Sequence, residues 1–246
     1  MIVRAFDSGY DGRMRAGAYQ PSMLDLATDD GIAGDGAALG PLAGALRRHE
    51  LGSGAWVDHL PGWVSGSDAV LRTLLDEVDW QAERRRMYDD VVDVPRLLRW
   101  YAGTEPLPHP LLTAARDELS RHYVAELGEP FVTAGMCLYR DGRDSVAWHG
   151  DTHGRSARED TMVAIVSFGS PRPLLLRPRG SAPNRAEAGR DSGRGGGASS
   201  LRFPLGHGDL VVMGGSCQRT WEHAVPKTTR AVGPRVSVQF RPTGVA

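Results

Sequence analysis

Three side chains in this 246-residue sequence have the types and spacing to build a metal centre. His149 and Asp151 lie two residues apart in Trp148-His149-Gly150-Asp151. On a strand, such positions project to the same face, so an imidazole and a carboxylate can converge on one point. An HxD triplet alone carries little weight. A second histidine, His223 in Thr220-Trp221-Glu222-His223, follows 74 residues later, near the end of another candidate strand. Two histidines and one carboxylate, with the rest of the coordination sphere open, suit a non-haem Fe(II) that activates O2. Zinc could occupy the same three ligands.

A third piece is Arg235-Val236-Ser237-Val238-Gln239-Phe240-Arg241. Its strict alternation puts Val236, Val238 and Phe240 on one face and Arg235, Ser237, Gln239 and Arg241 on the other. A polar face in water would explain the pattern. Placed inside a barrel, two guanidiniums would require an anionic partner, and a dicarboxylate would supply one through bidentate pairing.

These groups need elements to hold them. From residue 131 onward the texture is of short strands with Gly and Pro turns: Phe131–Tyr139, Ser145–His149, Thr161–Phe168, Pro173–Arg177, Leu201–Pro204, Asp209–Met213, Gln218–His223 and Arg235–Arg241. That texture implies a sandwich, jelly roll or barrel. Upstream, Ala55–His59 reads as a short strand before a Pro61-Gly62 turn. Ser67 reads as the N-cap of a helix to about Val78, and a second helix covers Pro110 to about Leu127. Residues 1–50 read as an irregular arm, 51–130 as a part with two helices, 131–246 as the core, and 179–200 as a flexible Gly/Ser/Arg loop.

The formal charge is −1, but it is unevenly spread. Residues 1–80 carry 6 basic and 12 acidic side chains, whereas residues 166–246 carry 12 and 4. The sum excludes a bulk polycation, while the basic third leaves room for modest, salt-sensitive contact with a short nucleic-acid strand. Residues 80–103 interleave Trp80, Tyr88, Trp100 and Tyr101 with arginines, a mixture able to stack on bases and equally common on half-buried surfaces. Two cysteines, Cys137 and Cys217, point to free thiols in a reducing cytoplasm. Residues 1–18 show no secretory pattern and no run is long enough to span a membrane.

The order HxD, then His, then an Arg-bearing strand resembles the AlkB-type Fe(II)/2-oxoglutarate dioxygenases. Further stretches carry the resemblance: Pro95 to Tyr101, Leu138-Tyr139-Arg140-Asp141-Gly142, Val166-Ser167-Phe168-Gly169, His207-Gly208-Asp209-Leu210 and Trp221 to Lys227. The similarity runs from about residue 80 to 242. It implies an α+β chain with a double-stranded β-helix (jelly-roll) core, N-terminal helices and a nucleotide-recognition lid. It implies Fe(II) on His149, Asp151 and His223, and 2-oxoglutarate held by Arg235, Arg241, Tyr139, Ser237 and Cys137, with O2 completing the reaction. Arg96, Trp100, Tyr101 and His153 would meet the substrate, an alkylated base such as 1-methyladenine or 3-methylcytosine in DNA or RNA. The expected role is DNA repair by a cytoplasmic monomer. Three departures bear on this. Cys137 stands where the family commonly has an Asn donor, Ser237 and Gln239 replace Asn and Thr, and His153 replaces an acidic residue. A hydroxylase of the same fold acting on a small molecule or a protein, and a non-catalytic damage binder, are the alternatives.

Overall fold

A computed structural model describes residues 36–87, 90–151, 154–181 and 200–245. Most of the arm, most of the 179–200 loop and His153 lie outside the described residues. In chain order the elements are β1 (Ala38–Leu39), β2 (Arg47–Gly52), β3 (Ala55–Leu60), β4 (Val64–Ser65), α1 (Ser67–Glu77), β5 (Gln81–Met87), β6 (Asp90–Tyr101) and α2 (Pro110–Leu127). They continue with β7 (Thr133–Tyr139), β8 (Val146–His149), β9 (Val163–Gly169), β10 (Arg172–Pro178), β11 (Leu201–Leu205), β12 (Asp209–Gly215), α3 (Cys217–Thr220), β13 (Trp221–Val225) and β14 (Arg235–Arg241).

The strands make two main sheets. An eight-stranded sheet runs β2-β3-β12-β9-β14-β7-β6-β5, and a four-stranded sheet runs β11-β10-β13-β8. Every described pairing is antiparallel. Period-two alternation gives the large sheet two different faces. On one, Ala164, Val166 and Phe168 of β9, Val236, Val238 and Phe240 of β14, and Leu210 and Val212 of β12 pack with Leu71 and Leu74 of α1 and Leu112 and Leu119 of α2. On the other, Val163, Ile165, Val211 and Met213 meet Leu174, Leu176, Phe203 and Leu205 of the small sheet. Two sheets closed face to face around an interior, with helices behind one of them, form a double-stranded β-helix in an α+β chain.

Local chemistry explains the helix ends. Before α2, His109 caps the first turn, its Nδ1 accepting from Leu111 N at 3.1 Å, with Pro110 at the first helical position. Gly128, left-handed at φ 75°, closes it. The N-cap of α1 is Gly66 rather than Ser67. Gly66 is left-handed at φ 60°, and a Cβ there would lie 2.4 Å from Gly36 O, so the chain turns on glycine and Ser67 enters the helix.

Three stretches differ from the sequence expectation. Residues 38–39 and 47–50, read as part of an irregular arm, belong to strands β1 and β2, too short or too exposed to give an alternating apolar signal. Residues 81–101, for which the sequence pattern names no strand, are largely the β5–β6 hairpin that extends the large sheet. Gln218–Thr220, read as strand, is a helical turn in which Thr220 Oγ1 donates back to Ser216 O at 2.8 Å. Among the described residues no helix is long and apolar enough to cross a membrane.

Candidate active site

The small sheet builds the metal-ligand cluster. His149 ends β8 and His223 sits directly opposite it on β13. Their rings are 4.2 Å apart between centroids. Asp151 follows two residues after His149, its Oδ1 3.7 Å from His149 Nε2. One ligand atom from each of the three lies within 4.8 Å of the others, the separation that convergence on one ion requires. His149 Nδ1 is 2.8 Å from the Ala147 carbonyl, to which it must donate, and this leaves Nε2 with its lone pair for a ligand bond.

Burial decides the charge state. Asp151 and His223 are 7% and 8% exposed. Burial pushes the Asp151 carboxyl upward, but Arg241 and the two histidines outweigh it and hold its pKa below the usual value. Burial first, and then the neighbouring His149, push His223 down to about 3. A carboxylate beside a neutral imidazole is the form a divalent cation binds without displacing protons.

The large sheet supplies the facing wall. Arg235, Ser237, Gln239 and Arg241 of β14 line a cavity of about 1050 Å³ that also contains the three ligand residues. Arg235 is 1% exposed. Its Nε donates to Ser167 Oγ at 2.9 Å and its guanidinium lies 5.1 Å from the Tyr139 ring centre. Burial pulls its pKa down while Tyr139 opposes that shift. Among the described residues no carboxylate pairs with Arg235, and its Nη1 has no hydrogen-bond partner. A buried cation with an orphaned donor is costly until an anion arrives. Tyr139 beside it is pushed up to about 12, chiefly by burial, and so stays a neutral O–H donor.

Arg241 lies nearer the ligand cluster. Its Nη2 donates to Asp151 Oδ2 and to Gln239 Oε1, both at 3.2 Å. Gln239 Nε2 in turn donates to Ser237 Oγ at 3.0 Å and Cys137 Sγ at 3.3 Å.

At the rim, β6 divides the aromatic-Arg stretch between two faces. Arg96, Leu98 and Trp100 line the cavity, and Trp100 is 44% exposed. Tyr101 does not join them. The strand's alternation turns it into the helix-backed core, where it is 6% exposed with Arg99 over its ring at 4.7 Å. The cavity thus gathers His149, Asp151, His223, Cys137, Tyr139, Arg235, Ser237, Arg241, Arg96 and Trp100, while Tyr101 stands outside it. Gln239, Gly135 and Ser167 also belong to the site, beyond the residues the sequence motifs point to. Gln239 was findable, since it shares the face of Arg235 and Arg241. Gly135 was not, because its role depends on a packing contact: a Cβ there would lie 2.8 Å from Arg241 Nη1 and 3.3 Å from the Trp100 ring.

The family model of the 2OG-Fe(II) oxygenase superfamily matches residues 58–241, a span that contains every site residue above. The chain belongs to this superfamily. Within it, the chain is 31% identical over 195 residues to "Alpha-ketoglutarate-dependent dioxygenase alkB homolog 3" of Bos taurus, covering 74% of this chain and 64% of that protein. The human protein of that name is 30% identical, with the same shares covered. "DNA oxidative demethylase ALKBH2" of Arabidopsis thaliana is 34% identical over 51% of this chain and 42% of that protein. The chain thus spans just under two thirds of the length of the first of these relatives. A solved Pseudomonas putida prolyl-4-hydroxylase is 15% identical, covering 76% of this chain and 93% of that one, with a TM-score of 0.49.

Proposed function

We propose that this protein is an Fe(II)- and 2-oxoglutarate-dependent dioxygenase that removes N-alkyl groups from nucleobases such as 1-methyladenine and 3-methylcytosine, serving repair of alkylated DNA. One observation carries the reading: a three-ligand cluster and an anion-seeking, buried guanidinium share one cavity. The donor set fits iron in kind, two imidazole nitrogens and one carboxylate oxygen lining one cavity. The orphaned Nη1 of Arg235 fits a carboxylate.

His149, Asp151 and His223 would hold Fe(II). Arg235, with the Tyr139 O–H beside it, would receive the far carboxylate of 2-oxoglutarate, and Arg241, Ser237 and Cys137 border the rest of that molecule. When bound, iron with 2-oxoglutarate and O2 supplies an oxidant strong enough to hydroxylate an N-methyl group, after which the hydroxymethyl group leaves as formaldehyde. The protein contributes position and dryness. Trp100 offers an exposed ring at the cavity rim on which an extruded base can stack, since a stacked, paired base cannot reach the cavity. Arg96, whose Nη1 donates to Ser145 O at 3.3 Å, adds positive charge at the same rim. The two free, buried thiols suit a reducing cytoplasm.

The test is incubation with Fe(II), 2-oxoglutarate, O2 and oligonucleotides, DNA and RNA, carrying single 1-methyladenine or 3-methylcytosine residues. Loss of the methyl group by mass spectrometry, matched by succinate, is expected. Succinate with unchanged oligonucleotide masses would move the substrate to a small molecule or a protein. Failure to form succinate with any substrate would sink the enzymatic reading.

A further inference from the structure

The hydrogen-bond path through Gln239 joins the two halves of the site. Its carboxamide has two N–H donors and one acceptor oxygen in this geometry, and all are used. Nε2 donates to Cys137 Sγ and Ser237 Oγ, and Oε1 accepts from Arg241 Nη2. The direction of the amide follows from the partners. A guanidinium only donates, so a flipped amide would set its NH2 against the Arg241 NH2 group and break the link.

Arg241 Nη2 also carries the bond to Asp151 Oδ2. Two acceptors on one nitrogen fix the roll of the guanidinium. With Oδ2 engaged by Arg241, the other oxygen, Oδ1, is the one 3.7 Å from His149 Nε2. Arg241 therefore selects which carboxylate oxygen faces the ligand cluster, and Gln239 sets Arg241. Without Gln239 the arginine keeps one hydrogen bond of the two, and its long side chain regains rotamer freedom.

We propose that Gln239 is a positioning residue which, through Arg241, orients the Asp151 carboxylate toward the metal and so couples the 2-oxoglutarate side of the cavity to the metal side. It rests on the iron- and 2-oxoglutarate-dependent reading above. A hydrogen-bonding partner of a metal ligand is worth about 10–100-fold in metal affinity. Gln239 stands one step further out, so the low end of that range, about 10-fold, is expected.

The experiment measures Mn(II) affinity of the full chain by calorimetry, and 2-oxoglutarate affinity of the Fe(II)-loaded protein without O2, from the visible metal-to-ligand charge-transfer band. The proteins are wild type, Gln239→Met, Gln239→Leu, Arg241→Lys and the Gln239→Met/Arg241→Lys double variant, with circular dichroism to check folding. Gln239→Met keeps the length and deletes the hydrogen bonds. About 10-fold weaker Mn(II) binding is expected in Gln239→Met, with the charge-transfer band shifted. In the double variant, Mn(II) binding within about 2-fold of Arg241→Lys alone is expected, because residues acting in series are not additive. A folded Gln239→Met with wild-type Mn(II) affinity, or an additive double variant, overturns the proposal. So does the failure of both Gln239→Met and Gln239→Leu to fold, which would make Gln239 a stability residue. If wild type itself binds neither Mn(II) nor 2-oxoglutarate, the functional reading falls first. If wild type binds both and the variant matches it, the positioning role falls alone.

Discussion

The two faces of β14 have opposite energetics. The face backed by the helices carries Val236, Val238 and Phe240, each 0% exposed and each surrounded by apolar neighbours. The cavity face carries Arg235, Ser237, Gln239 and Arg241 along the same seven residues. The first face gains stability by leaving water. The second buries cations, and Arg235 lacks a described carboxylate partner altogether. One strand therefore anchors the fold on one side and holds an unsatisfied site on the other. The lesson is that stability and binding should separate cleanly by residue parity.

The sharpest attempt to break that separation is His149→Ala. It should weaken metal binding by more than about 100-fold, the upper end for losing only a supporting hydrogen bond, and abolish turnover. Because this side chain is half-exposed, the melting curve of the metal-free protein should barely move. Equal losses in metal binding and in stability would erase the distinction. On the helix-backed face of β14, Phe240→Ala should cost about 3–5 kcal/mol in urea unfolding, with turnover per folded molecule retained at low temperature. Arg235→Met separates the faces by sign. Affinity for 2-oxoglutarate should fall by at least about 100-fold, as expected for losing two charge-assisted hydrogen bonds. Stability should stay level or rise by about 1–4 kcal/mol, because a buried guanidinium gives way to an apolar side chain of similar length. A large destabilisation would show that the arginine supports the fold.

The smallest effect concerns a histidine remote from the ligand cluster, His59 on β3, edge-on to Phe203 with ring centroids 5.9 Å apart. Burial holds its pKa below the ordinary value, with Asp209 opposing. In the unfolded chain the ring takes up its proton near pH 6.5. The unfolded state then binds more protons than the folded one, so stability is lost as pH falls below about 6.5, toward the folded pKa. His59→Gln should flatten that slope in urea titrations at pH 5 and pH 7, leaving the pH 7 midpoint nearly unchanged.

Much of this was legible because periodicity and punctuation coincide with the fold. The Arg235–Arg241 strand and the Pro110–Leu127 helix have the bounds the sequence suggests, the first from strict alternation and the second from Pro110 and Gly128 at its ends. The spacing of His149, Asp151 and His223 identified the cluster, although only cross-strand register could show that two of them sit directly opposite each other. What stayed hidden was tertiary. The β5–β6 hairpin has arginines and aspartates where an apolar alternation would be expected, and it is a strand pair because β7 offers an edge. Tyr101 and Trp100 look alike in sequence, yet one residue of offset on β6 sends them to opposite faces. Gln239 reads as one more polar position until its three partners are seen.

The place of β14 in the large sheet has a further consequence, in the order of events at the ribosome. It pairs with β9 on one side and β7 on the other, so it alone joins β2-β3-β12-β9 to β7-β6-β5. Of the described strands it is also the last to be synthesised. Until residues 235–241 are in place, β2-β3-β12-β9 and β7-β6-β5 share no strand, and neither Arg235 nor Arg241 has been made. The nascent chain can hold His149, Asp151 and His223, but it has no anchor for a dicarboxylate.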